Sequence, residues 1–178
     1  MYDIIYRSKT GSSAKYAAIL AKKCGAKVYE LSKAIKELEK GTKVIYIGCV
    51  RADNILALEK AEKYFDLKII CAVGMALTGE NVDKIRLINK IKDNIPLFTL
   101  QGDFYFDKLK GLDLLMMKLV KNSLVSQIKV KKAPSLGDKD MLELLEHGGS
   151  RVNADNLKDV IKEINKWKNY LYYCLSFY

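Results

Sequence analysis

The side chains best placed to do chemistry crowd one short stretch, Ser8-Lys9-Thr10-Gly11-Ser12-Ser13, between an apolar run that breaks at Arg7 and a small-residue segment that follows. Four hydroxyls and a glycine in six positions suit phosphate binding. A helix N-terminus presents unpaired N–H groups and a partial positive charge, a glycine lets the backbone approach closely, and hydroxyls donate further bonds. The spacing is not GxGxxG, and no GxxxxGK[ST] occurs, so neither the dinucleotide fold nor the NTPase loop is indicated by its own fingerprint. Hydroxyl residues also cap helices, and on these residues alone binding and capping carry equal weight. Glu30 lies where a ribose-binding acid would, without the glycines that give that signal force.

Other reactive groups are sparse. Cys24, Cys49, Cys71 and Cys174 are scattered without a CxxC pair, and the single His147 leaves no partner for a zinc site, so the cysteines read as free thiols. Arg51 ends a third apolar run. Its guanidinium is placed to hold developing negative charge, a carboxylate or a quinone oxygen, and the alternative is a solvated loop arginine. Cys49 beside it reads as a small buried residue rather than a thiolate. Asp53 and Asn54 are expected to cap the next helix, and His147, in LLEHGG, to cap carbonyls at a helix end.

These residues need strands and helices to position them. Apolar runs at 2–6, 27–31, 43–48, 67–74 and 96–102 read as strands buried on both faces. Between them Ala14, Ala17, Ala18 and Ala21 repeat at helical spacing, as do Leu157, Val160, Ile161 and Ile164 after an N-cap at Asn153 or Asp155; Val82, Ile85 and Ile88 do so more loosely. Such alternation implies parallel strands with right-handed crossovers, an α/β three-layer sandwich. The 178 residues fit a single domain, 1–178, with residues 129–140 a surface connection inside it. No apolar run approaches the ~20 residues of a membrane span. The start lacks signal-peptide features, so the expected location is the cytoplasm. A net charge of +10 favours something anionic as a neighbour.

The order IIYRSKTGSSAKYA, VIYIGCVRADN, IICAVGMALTGEN resembles the flavodoxin family, whose T/S-x-T-G-x-T/S turn is matched at every position by Ser8, Thr10, Gly11 and Ser13. The resemblance covers nearly the whole chain and is closest to the branch containing menaquinone-dependent protoporphyrinogen oxidase. It implies a flavodoxin-like five-stranded parallel sheet of order 2-1-3-4-5 and FMN as cofactor. The phosphate would be held by Ser8, Lys9, Thr10, Gly11, Ser12 and Ser13. The ring would be flanked by Gly48, Cys49, Val50, Arg51 and Ala52 from one loop, by Gly74, Met75, Ala76 and Gly79 from the next, and by Gly102 and Tyr105. Arg51 would serve catalysis by stabilising reduced flavin. The two ring loops hold no aromatic, so stacking is expected from Phe104 or Tyr105, from Val50 or Met75, or from a partner; Trp167 is expected in the core. The function implied is an FMN-dependent oxidoreductase or electron-transfer protein, protoporphyrinogen oxidase-like, passing electrons to a quinone or redox partner protein. The alternative is a flavodoxin-fold module that has lost tight flavin binding and acts by binding an acidic partner, nucleic acid or a membrane surface. Diffusible flavodoxins are typically acidic, so the charge argues against a soluble shuttle. Without aromatic-interleaved strands, nucleic acid is the weaker partner.

Half of the charge lies in 104–132, where seven lysines meet Asp107 and Asp113, a net +5. Leu112, Leu115, Met116 and Leu119 form one helical stripe, which Met117, Val120, Leu124 and Ile128 broaden. The expectation is that one face packs on the sheet as the crossover helix. The other, beside Phe104, Tyr105 and Phe106, would meet an anionic membrane, making the protein peripheral to the membrane's inner face, or an acidic redox partner.

Overall fold

Alternate residues of the apolar runs feed opposite sides of one sheet. In the computed structural model, Ile5, Val44, Tyr46, Ile70 and Ala72 enter one buried cluster, while Ile4, Ile45, Ile47, Ile69, Cys71 and Val73 enter another. That two-sided burial is why the runs are apolar throughout. The structure describes residues 2–175, except for the side chains of Lys108, Asp113 and residues 168–175.

The parallel strands are β1 (Asp3–Arg7), β2 (Val28–Glu30), β3 (Lys43–Arg51), β5 (Asp66–Gly74) and β6 (Leu97–Gln101), in spatial order β2-β1-β3-β5-β6. Counting parallel strands alone, this is the expected 2-1-3-4-5. The two-residue strand β4 (Asn54–Ile55) pairs antiparallel with the end of β3. Helices α2 (Leu31–Glu37), α3 (Leu58–Tyr64) and α4 (Val82–Ile88) supply side chains to the first cluster, and α1 (Ser12–Cys24) and α7 (Lys158–Leu175) to the second.

Several expectations are corrected. On α1 the seated face is Tyr16, Ala17, Leu20 and Cys24, and Ala18 of the alanine stripe is exposed, because Tyr16 and Leu20 bury more apolar surface than alanines do. Strand β3 runs three residues beyond the expected Gly48 and turns back through Ala52 and Asp53, both left-handed at φ 47° and 61°. Asp53 and Asn54 therefore cap nothing; the residue before α3 is Ala57. Asp53 instead pairs with Lys84 at 2.7 Å. Glu30 caps α2 and pairs with Arg7 at 2.8 Å, which leaves it a structural acid. Trp167 is 36% exposed, edge-on to Tyr2.

The largest correction concerns α5 (Gly111–Lys129). It does not pack on the sheet. It lies against α6 (Leu136–His147), while α7 takes the last helix position beside α1, with Leu157, Val160 and Ile164 buried there. The connection between α5 and α6 shortens to 130–135 because Ser135 and Asp138 form a reciprocal capping box that starts α6 early. His147 is the last residue of α6 and is exposed; Asn153 Oδ1 accepts from the N–H groups of Asp155 and Asn156 in the turn Asp155–Leu157 that leads into α7, a turn whose cap position is Ala154. Cys49 and Cys71 are thiols, and the side chain of Cys174 lies outside the described residues.

Candidate functional site

Parallel strands carry every strand-to-helix turn to one edge of the sheet. The order 2-1-3 reverses direction between β1 and β3, and the crevice above that reversal is where open α/β sheets bind ligands. Arg7 is in register with Gly48 there, so the turn from Ser8 to Ser13 and the segment from Gly48 to Ala52 are neighbours. The Cys49 thiol joins them: burial pushes its pKa up, opposed by a hydrogen bond from the Lys9 backbone, and a thiol held protonated is a packing residue.

The turn leaves its helix end open. Gly11 has φ 99° and precedes α1 without any side-chain cap, and a Cβ placed on it would meet nothing within 4 Å. Ser8 Oγ accepts from the Gly11 N–H at 3.0 Å, which tightens the turn rather than capping α1. Lys9 and Thr10 are exposed on it. Ser13 is fully buried, and its Oγ is, among the described residues, the buried side-chain polar atom without a partner. Buried hydroxyls are normally satisfied, so an orphan in the first turn of an uncapped helix fits a missing acceptor such as a phosphate oxygen.

Ser12 has a different task. Its Oγ accepts from the Asp103 N–H at 3.0 Å and packs under Gly102, where an added Cβ would come within 3.2 Å of it. Asp103, just past β6, is a hub that sequence reasoning missed. One carboxylate oxygen accepts from Ser150 Oγ, Arg151 N and Val152 N at 2.8, 2.8 and 2.9 Å, and the other from Lys15 Nζ at 2.5 Å. Burial alone would raise its pKa, but these donors, Lys15 foremost, outweigh it and hold the carboxyl down at about 2. The turn from Ser8 to Ser13, the end of β6 and the segment returning from α6 are thereby clamped together. Tyr16 extends the clamp: its hydroxyl donates to the Gln101 carbonyl and accepts from Asn156 Nδ2.

At the end of β3, Gly48 is required by sterics, since a Cβ there would stand 2.5 Å from Ile55 Cγ2 and 2.9 Å from Tyr46 Cε1. Val50 pairs with Ile55 and is half-buried; Arg51 and Ala52 are exposed at the hairpin. Asn89, also missed, pins this hairpin by donating to the Asp53 carbonyl at 2.8 Å and accepting from Ile55 N at 2.7 Å. In the next loop Gly74, Met75 and Ala76 are half-buried and Gly79 is exposed. Met75 packs into a third cluster with Phe104, Leu144 and Leu145, so α5 and α6 border this loop. Gly79 N and the Glu80 carbonyl bond to Thr99, and Thr78 Oγ1 accepts from Gln101 N, fixing that loop to β6. Tyr105 is half-buried just beyond. The sequence-predicted residues thus gather at one edge, with Met75 drawn toward the helical pair.

A doubly wound parallel sheet with an uncapped, hydroxyl-rich helix N-terminus beside its switch point places the chain among the open α/β domains, the class in which ligands are met at the strand ends. The Flavodoxin domain family model matches residues 3–128, and the chain belongs to that family. No curated protein and no solved structure gives a significant match. The match ends within α5, so α6 and α7 lie beyond it.

Proposed function

We propose that the protein binds FMN at the turn from Ser8 to Ser13 and works as an oxidoreductase or electron-transfer protein that passes electrons to a quinone or a redox partner protein. The observation that carries this reading is the buried, unpartnered Ser13 Oγ at the open N-terminus of α1. Ser8, Lys9, Thr10, Gly11, Ser12 and Ser13 would hold the phosphate. The segments Gly48–Ala52 and Gly74–Gly79, with Gly102 and Tyr105, would border the ring. Bound there, FMN would supply one- and two-electron redox chemistry. The chain's own residues position and tune. Asp103 fixes Ser12 from its N–H, leaving the Ser12 proton available to an anion, and Arg51 is the cation placed by the hairpin to favour the reduced cofactor. Protoporphyrinogen oxidase-like dehydrogenation is the finer reading, and it rests on the sequence resemblance.

A flavin titration followed by fluorescence tests the assignment. Thr10→Ala/Ser13→Ala should weaken FMN by ~1.5–3 kcal/mol, the worth of hydrogen bonds to a charged group, while thermal stability of the FMN-free protein holds, because the Ser13 hydroxyl is orphaned there. Unchanged affinity would remove the phosphate from this turn. Arg51→Ala should lower the midpoint potential of bound FMN in potentiometry; an unmoved potential with weaker substrate binding would reassign the guanidinium to the substrate. A second reading is a module of this fold with weak ring binding. Met75 packed into the helical cluster and the absence of aromatics from both ring loops favour it. Its signature would be phosphate binding without a yellow complex.

A further inference from the structure

Helix α5 carries two apolar stripes, and α6 satisfies one of them. Met117, Leu124 and Val125 pack with Phe104, Leu144 and Leu145, and Ile128 is 5% exposed. About half a turn around the helix, Leu112, Leu115, Met116 and Leu119 are 77%, 57%, 54% and 62% exposed. Four adjacent large apolar side chains at i, i+3, i+4, i+7 spacing form a patch of the kind that marks an interaction surface, in contrast to scattered exposed leucines.

We propose that this outer face of α5 seats the protein on an anionic membrane surface. Charge complementarity carries the choice of occupant. Lys110 and Lys118 flank the patch, are exposed, and make no ion pair among the described residues. Lys121 lies 5.4 Å over the Phe106 ring on the side away from the patch. Farther along, Lys129 pairs with Glu146 and Lys131 with Asp138, whereas Lys110 and Lys118 keep their charge beside the apolar residues. A convex ridge of leucine and methionine between lysines matches the boundary between acyl chains and anionic headgroups, with the lysine stems lying along apolar surface and their ammonium groups in water. A second copy fits worse: a two-fold contact would bring two lysine-flanked patches together, between chains that each carry +10. No described helix is long and apolar enough to cross a membrane, so the contact lies in the plane of the surface. Because α5 follows β6 at the strand-end edge, docking would bring the site up to the bilayer.

Co-sedimentation of the full chain with vesicles of phosphatidylglycerol and phosphatidylcholine, or of phosphatidylcholine alone, tests this. Binding to the anionic vesicles at low salt should exceed binding to neutral ones by roughly tenfold or more and fade at high salt. Leu115→Ser/Leu119→Ser should weaken it by about tenfold, and Lys110→Gln/Lys118→Gln by on the order of 25-fold. The charge variant leaves the apolar face intact, so a folding defect in one variant leaves the other decisive. No binding at low salt, equal binding to both vesicles, or indifference to both variants would overturn the proposal. So would a dimer in sedimentation equilibrium that Leu115→Ser/Leu119→Ser dissociates, which would give the face to a second copy.

Discussion

Helices α1 and α5 both start at the strand-end edge of the sheet, one after β1 and one after β6, yet they are held in opposite ways. α1 is seated: Tyr16, Ala17 and Leu20 are fully buried against strands and α7, and its open N-terminus forms the candidate phosphate site. α5 is perched on α6, buries one stripe and leaves another in solvent. A binding turn needs its donors fixed before the ligand arrives, so it is built on the rigid helix, whereas a surface that meets something soft tolerates a less anchored one. Asp103 joins the two regions, holding Lys15 and Ser12 of α1 on one side and residues 150–152, returning from α6, on the other.

That contrast breaks or sharpens on measurable stabilities. The largest loss is expected where α1 is seated: Leu20→Ala removes a fully buried side chain and should cost about 2–5 kcal/mol in urea denaturation. A loss below about 1 kcal/mol would mean that α1 is not anchored as described. The joint comes next. The Asp103 carboxyl is depressed from 3.8 to about 2, so its contribution is fully present above about pH 4 and is lost as the pH falls toward 2. Asp103→Asn should therefore lower stability at neutral pH by roughly 2 kcal/mol and flatten the acid limb of the stability–pH curve. An unchanged limb would place the acid sensitivity elsewhere. The smallest effect belongs to the perched face, where Leu119→Ser at a 62% exposed position should change stability by no more than about 0.5 kcal/mol. A larger loss would show that this face is covered.

Legibility in the sequence followed the range of the interactions. The turn from Ser8 to Ser13 announces itself because its hydroxyls and glycine are contiguous. The strands do so because burial on two faces makes a run apolar throughout. The β3–β4 hairpin stayed hidden because Ala52 and Asp53 adopt left-handed conformations without the Asn-Gly or Asp-Gly signal of such turns. Asp103 stayed hidden because its donors are Lys15 and residues 150–152, far away along the chain in both directions.

By itself, then, the sequence determined the α/β class, the parallel sheet and the place of the hydroxyl-rich turn before α1, since each rests on local pattern: period two for strands, 3.6 for helices, and glycine with hydroxyls at a helix start. Only the tertiary structure decided which face of each helix would be buried. Two apolar stripes on one helix compete for one partner surface, and the outcome depends on what stands beside it. Because α7 occupies the place next to α1, α5 is displaced onto α6, and four leucine and methionine side chains remain facing outward.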